Sequence, residues 1–96
     1  MPKGYLLSAH RSPADPIKRE AYLKLAGPAI IKAGGKVLAS TSNVKAYENG
    51  KEEQTVLVEF ESLEKAISAY ESEDYQKALH ALDGGADRDF RLFEGV

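Results

Sequence analysis

The chain has 96 residues, with 13 basic side chains against 15 acidic ones. Charges so nearly balanced exclude a field of one sign that could steer nucleic acid or an anionic membrane, and the length predicts one domain, residues 1–96, with a modest core. The absence of cysteine excludes disulfides, thiolate catalysis and cysteine metal sites. No apolar run approaches a membrane span, and Met-Pro-Lys-Gly-Tyr lacks the apolar core of a signal peptide, so a soluble, cytoplasmic protein is expected.

In chain order, Tyr5 to His10 reads as a strand, apolar at Tyr5, Leu6 and Leu7 and polar at its end. Asp15-Pro16 is a helix start, an acceptor at the N-cap followed by a residue whose missing N–H costs nothing at N1. The helix carries a stripe of Ile17, Ala21, Tyr22, Leu25 and Ala26. Gly27-Pro28 interrupts it and predicts a kink, because Pro28 has no N–H for the Lys24 carbonyl; Ala29, Ile30 and Ala33 continue the stripe to a Gly34-Gly35 cap. Lys36 to Thr41 predicts a second strand, which Val44 to Glu48 extends or restarts.

Asn49-Gly50 has the composition of a type I′ hairpin turn and returns the chain into a third strand, Thr55 to Phe60. Ser62 then caps a helix with Leu63, Ala66, Ile67 and Tyr70 on one stripe. Ser72, followed by Glu73 and Asp74, opens another with Tyr75, Ala78, Leu79 and Leu82, so a break is expected near Glu71. Gly84-Gly85 ends the helical run, and Asp89 to Glu94 gives a last strand through Phe90, Leu92 and Phe93. The order βαββαβ predicts a ferredoxin-like α+β fold, a four-stranded antiparallel sheet with the helices on one face. Tyr5/Leu6/Leu7, Val56/Leu57/Val58 and Leu92/Phe93 nevertheless place apolar side chains on both faces. A homodimer made through the sheet faces is expected, a dimeric α+β barrel, since burial of about 800 Å² per partner exceeds the cost of association.

The stretch VEFESLEKAISAYESEDYQKAL resembles domain-of-unknown-function family 1330, together with Lys3-Gly4-Tyr5, Asp15-Pro16 with Tyr22, Gly34-Gly35-Lys36-Val37-Leu38 and the ending Phe93-Glu94-Gly95-Val96. The resemblance covers essentially the whole chain and implies the dimeric α+β barrel superfamily. Its relatives include small cofactor-independent monooxygenases, haem-degrading enzymes and isomerases; the family itself has no agreed activity. The chain departs from the family's pattern at Leu6 and Ala69, where tryptophan is common, at Ser40 and Asp83, where arginine is common, and at Thr41-Ser42, where two glycines are common. An anion site made by those arginines is therefore not expected.

Several residues could carry chemistry. Tyr22, Tyr70 and Tyr75 lie on sheet-facing helix stripes, where a phenol can hold or protonate a ligand, although a tyrosine there is more often core. Glu59 shares its strand phase with Leu57, against Val56, Val58 and Phe60, so it is expected buried or partly buried on the face away from the helices, paired with Arg91 or His10. It reads as a candidate general base or as half of a structural ion pair across the dimer, with Arg91 as a partner. His10 shares a phase with Leu6 and Ser8 and is the cheapest acid or base near neutral pH, although a strand-end histidine is more often solvated. His80 falls outside its helix stripe and is expected in water.

The ligand-binding candidates are thus His10, Tyr22, Glu59, Tyr70 and Arg91. Neither metal nor cofactor is expected: the two histidines have no ligand spacing, the Gly-Gly pairs follow helices rather than precede them, and no G-x-S-x-G elbow occurs. Two functions fit, a small-ligand-binding homodimer and a cofactor-independent enzyme of monooxygenase or isomerase type, with binding placed first.

Overall fold

Local capping sets where the helices begin. The computed structural model describes residues 2–96 and comprises β1 (Gly4–His10), α1 (Pro16–Lys32), β2 (Lys36–Thr41), β3 (Thr55–Phe60), α2 (Leu63–Glu71), α3 (Glu73–Leu82) and β4 (Arg88–Glu94). The Asp15 carboxylate accepts from the backbone N–H groups of Ile17 and Lys18, both at 3.0 Å, and Pro16 opens α1. Ser62 Oγ accepts from the Lys65 N–H and Ser72 Oγ from the Tyr75 N–H, each at 3.2 Å. Ser72 also closes α2, its hydroxyl donating to the Ala69 carbonyl at 2.8 Å, so one residue ends one helix and starts the next. α1 closes with Gly34 at φ +90°; the Gly34 N–H donates to the Ile31 carbonyl and the Gly35 N–H to the Ile30 carbonyl.

The strands form one antiparallel sheet in the order β2-β3-β1-β4, the ferredoxin-like arrangement with its second helix divided into α2 and α3. Register places Leu6 between Val58 and Leu92, and Ser8 between Val56 and Phe90. These residues, with His10 and Phe60, face the helices, where Ala26, Ala29, Ile30, Ala66, Ala69, Tyr75 and Ala78 complete the core. The other phase, Tyr5, Leu7, Ala9, Leu57, Glu59 and Phe93, forms the opposite face.

Three expectations are corrected. On α1 the buried residues are Ala26, Ala29 and Ile30 with Tyr22 packed beside them, whereas Ile17 and Leu25 are 80% and 44% exposed and Ala21 is also exposed. The apolar residues of α1 describe two overlapping stripes; α1 packs against α3, and the stripe that holds the small alanines is the buried one. The helix also runs through Gly27-Pro28 without interruption as far as Lys32.

Residues 42–54 form a loop rather than a strand and a two-residue hairpin. Pairing of β2 with β3 ends at Thr41 and Thr55; there Thr41 Oγ1 accepts from the Asn43 N–H at 2.9 Å and the Val44 N–H donates to the Ser42 carbonyl, which bends the chain out of the strand. The loop's own turn sits one residue early: the Gly50 N–H donates to the Tyr47 carbonyl, and the positive φ, +55°, belongs to Glu48.

Candidate functional site

With α1 drawn against α3, a cavity of about 250 Å³ remains between α1 and the helix-side face of β1, β2 and β3. Its floor is Leu6, Ser8 and His10 of β1 with Val56 and Val58 of β3; Val37 and Ser40 bound it on β2, and Arg88 and Phe90 on β4. α1 supplies the roof through residues three or four apart, among them Arg19, Tyr22, Ala26 and Ile30.

Polar groups converge inside. Arg88 Nη1 donates to Tyr22 Oη at 3.2 Å and, at 3.5 Å, to Ser8 Oγ, while the Tyr22 and Tyr75 hydroxyls share a 2.6 Å hydrogen bond. The Arg88 guanidinium lies 4.8 Å from the Phe90 ring centroid and 5.1 Å from that of Tyr22, which fixes its plane. Tyr75 is buried at 1% exposure; burial first, then Tyr22, pushes its phenol above the ordinary value, so it stays protonated. His10, 7% exposed, is pushed down by burial first and then by the charges of Arg88 and Arg19, against a smaller opposing effect of Glu53. The imidazole is accordingly held neutral.

The cavity brings together two of the predicted residues, His10 and Tyr22, with Tyr75 beside them. Tyr70 packs against Tyr75 and Phe90, with ring centroids 5.2 Å from each, and does not line the cavity. Glu59 and Arg91 lie on the opposite face of the sheet. Glu59 is half-buried there, as its phase requires, but the expected pairing with Arg91 or His10 is corrected. Its partner is Tyr5, directly across β1, whose hydroxyl donates to Glu59 Oε2 at 3.3 Å. His10 points to the helix side, and Arg91 is bound to its own strand neighbour Asp89 through bonds of 2.9 and 3.2 Å. The expected solvation of His10 is likewise overturned, because α1 and Arg88 cover the end of β1. His80 is exposed. Sequence reasoning passed over Arg88, Arg19 and Ser8; the signal for Arg88 was its phase, two residues before Phe90 and four before Leu92.

The model of one family, described as a domain of unknown function (DUF1330), matches residues 3–96. The chain belongs to DUF1330. Among solved structures it is similar to a protein of unknown function from Rhodopseudomonas palustris, at 16% identity and a TM-score of 0.75 over 99% of this chain and 83% of the other. A conserved protein from Methanosarcina mazei Go1 is similar at 12% identity and a TM-score of 0.60, over 100% of this chain and 95% of the other. An EthD family protein from Bacillus halodurans is similar at 12% identity and a TM-score of 0.56, with both chains covered in full. At these identities the likeness is one of fold. No curated protein matches the chain. Ser40 lines the cavity and Asp83 pairs with Lys18 at 3.4 Å; the positive charge at the cavity comes from Arg88 and Arg19.

Proposed function

We propose that this DUF1330 protein is a homodimeric small-molecule-binding protein whose ligand occupies the cavity under α1. The observation that carries the reading is the convergence of Ser8, His10, Tyr22 and Arg88 on one open cavity with apolar walls. Burying such groups costs free energy that an all-apolar floor would avoid, and a few placed polar groups in an apolar cleft are what ligand recognition requires. Dimerisation is supported by the opposite face, where Tyr5 stacks on Phe93 at 5.7 Å and Leu7, Ala9 and Leu57 add apolar surface. The molecule measures 34 × 31 × 16 Å, so this broad face can supply the about 800 Å² per partner of a stable interface.

Titration of the labelled protein with millimolar benzyl alcohol, benzamide, benzylamine and benzoate, followed by NMR, tests the binding reading. At least one probe is expected to shift resonances of Ala26, Ile30, Val56 and Val58; a spectrum indifferent to all four overturns it. A second reading, a cofactor-independent enzyme, is favoured by one observation: a neutral His10 and the Tyr22–Tyr75 pair lie at the same cavity, a base and an acid for proton transfer. Exchange of a bound oxo acid's C–H protons in deuterium oxide, abolished by His10→Gln, would establish that activity.

A further inference from the structure

We infer that the cavity is built for a small organic carboxylate, held by its charge on Arg88 with its apolar body running along the strands toward Ile30, Val37 and Val58. This rests on the ligand-binding reading above and specifies its ligand class.

Sheet register separates the cavity into two ends. At one, His10 pairs with Arg88, Ser8 with Phe90 and Val56, and Ser40 with Val56. At the other, Val58 lies between Leu6 and Val37. α1 runs the same way, contributing Arg19 and Tyr22 from its first half and Ala26, Gly27, Ile30 and Ile31 from its second. Every charged or hydrogen-bonding side chain of the lining thus gathers at the His10 end, and the far end is aliphatic.

The charge at the polar end is unbalanced. Two arginines and no acidic residue line the cavity. Arg88 takes part in none of the ion pairs among the described residues; those involve Lys18, Lys24, Lys32, Lys77 and Arg91. Both of its side-chain hydrogen bonds leave from Nη1, and the rings of Tyr22 and Phe90 hold the group still. A half-buried guanidinium is always charged and costly without an anion, and its planar fork matches a carboxylate in two parallel bonds.

Size and access complete the description. About 250 Å³ lies below the roughly 300 Å³ at which drug-sized pockets begin, enough for one ring or a short branched chain. The α1 side of the mouth is the exposed row Leu23, Gly27 and Ile31, with Val37 lining the cavity from β2. A Cβ added at Gly27 would meet no atom within 4 Å, so the row has a notch at its middle.

Calorimetric titration of the protein, Arg88→Met, Arg88→Lys and Gly27→Leu with benzoate, benzamide and inorganic phosphate tests the inference. The native protein is expected to bind benzoate about tenfold or more tighter than benzamide, the margin of a charge-assisted pair of hydrogen bonds. Arg88→Met should erase that preference, Arg88→Lys should keep only part of it, and Gly27→Leu should weaken benzoate while leaving the circular dichroism unchanged. Equal affinity for benzoate and benzamide would overturn the carboxylate and leave the cavity a general binding site. Phosphate binding as tightly as benzoate, indifferent to Gly27→Leu, would overturn the role of the apolar end. Benzoate affinity unmoved in Gly27→Leu and Arg88→Lys overturns the placement, and binding of no probe overturns the carboxylate, while the ligand-binding reading stands or falls with the four-probe NMR titration.

Discussion

The 2.6 Å contact between the Tyr22 and Tyr75 hydroxyls ties a buried phenol to the cavity wall. Tyr22→Phe leaves the Tyr75 hydroxyl without that partner in a nearly dry place, and a loss of about 1–3 kcal/mol is expected in urea unfolding. Adding Tyr75→Phe should recover part of that loss, because the stranded group is then gone; strict additivity of the two changes would show the bond to be of no consequence. His10 gives a pH dependence. Its folded-state value lies below the ordinary 6.5 because of burial, Arg88 and Arg19, with Glu53 opposing. As pH falls, the unfolded chain takes up the proton first, so the stability that neutral His10 contributes is complete above about 6.5 and is lost as pH falls through the folded value. The melting temperature should decline across that window before the carboxylates titrate, and His10→Asn should flatten the decline.

At the scale of elements, Ser72 and Gly4 are where small changes reach furthest. Ser72→Ala removes the cap of α3 and the closing bond of α2 together, and a cost of about 1–2 kcal/mol is expected in the same unfolding measurement. A Cβ at Gly4 would run into the Ser62 carbonyl and the Leu63 nitrogen, so Gly4→Ala must push the start of α2 off β1, at about 1–3 kcal/mol; a variant as stable as the parent would show that this approach is looser. These elements were legible in the sequence for the reason that they are local. Asp15, Ser62 and Ser72 each act on an N–H within three residues, and the alternation Val56, Val58, Phe60 against Leu57, Glu59 names its own faces. What could not be read depends on partners far along the chain. Two stripes compete on α1, and only α3 decides between them; the Glu59 partner follows from pairing with β1, 54 residues away; His10 is buried by elements that come after it. Arg88 was one residue outside the expected strand, and its role appears only when β4 lies beside β1.

For the whole molecule, the proposed dimer rests on the face carrying Tyr5, Leu7, Leu57, Glu59 and Phe93. Sedimentation at micromolar concentration is expected to give a dimer, and Leu57→Lys, which places a charge in the middle of that face, should give monomers with unchanged helical content. A native protein that sediments as a monomer would refute the homodimer. Glu59→Gln loses the carboxylate that receives the Tyr5 hydroxyl and should loosen the dimer and lower the melting temperature without touching benzoate binding, because the sheet separates Glu59 from the cavity.

The two stripes of α1 have a consequence for how such a protein can diversify. Tyr22, Ala26 and Ile30 hold the helix in place, while Leu23, Gly27 and Ile31, each one residue further on, border the cavity from exposed positions. Exposed helix positions tolerate most substitutions within about 0.5 kcal/mol. The outer row can therefore drift under selection, reshaping what the cavity admits, while the inner row keeps the chain folded. What the cavity admits can thus vary at codons that folding leaves free, interleaved along one helix with codons that folding holds.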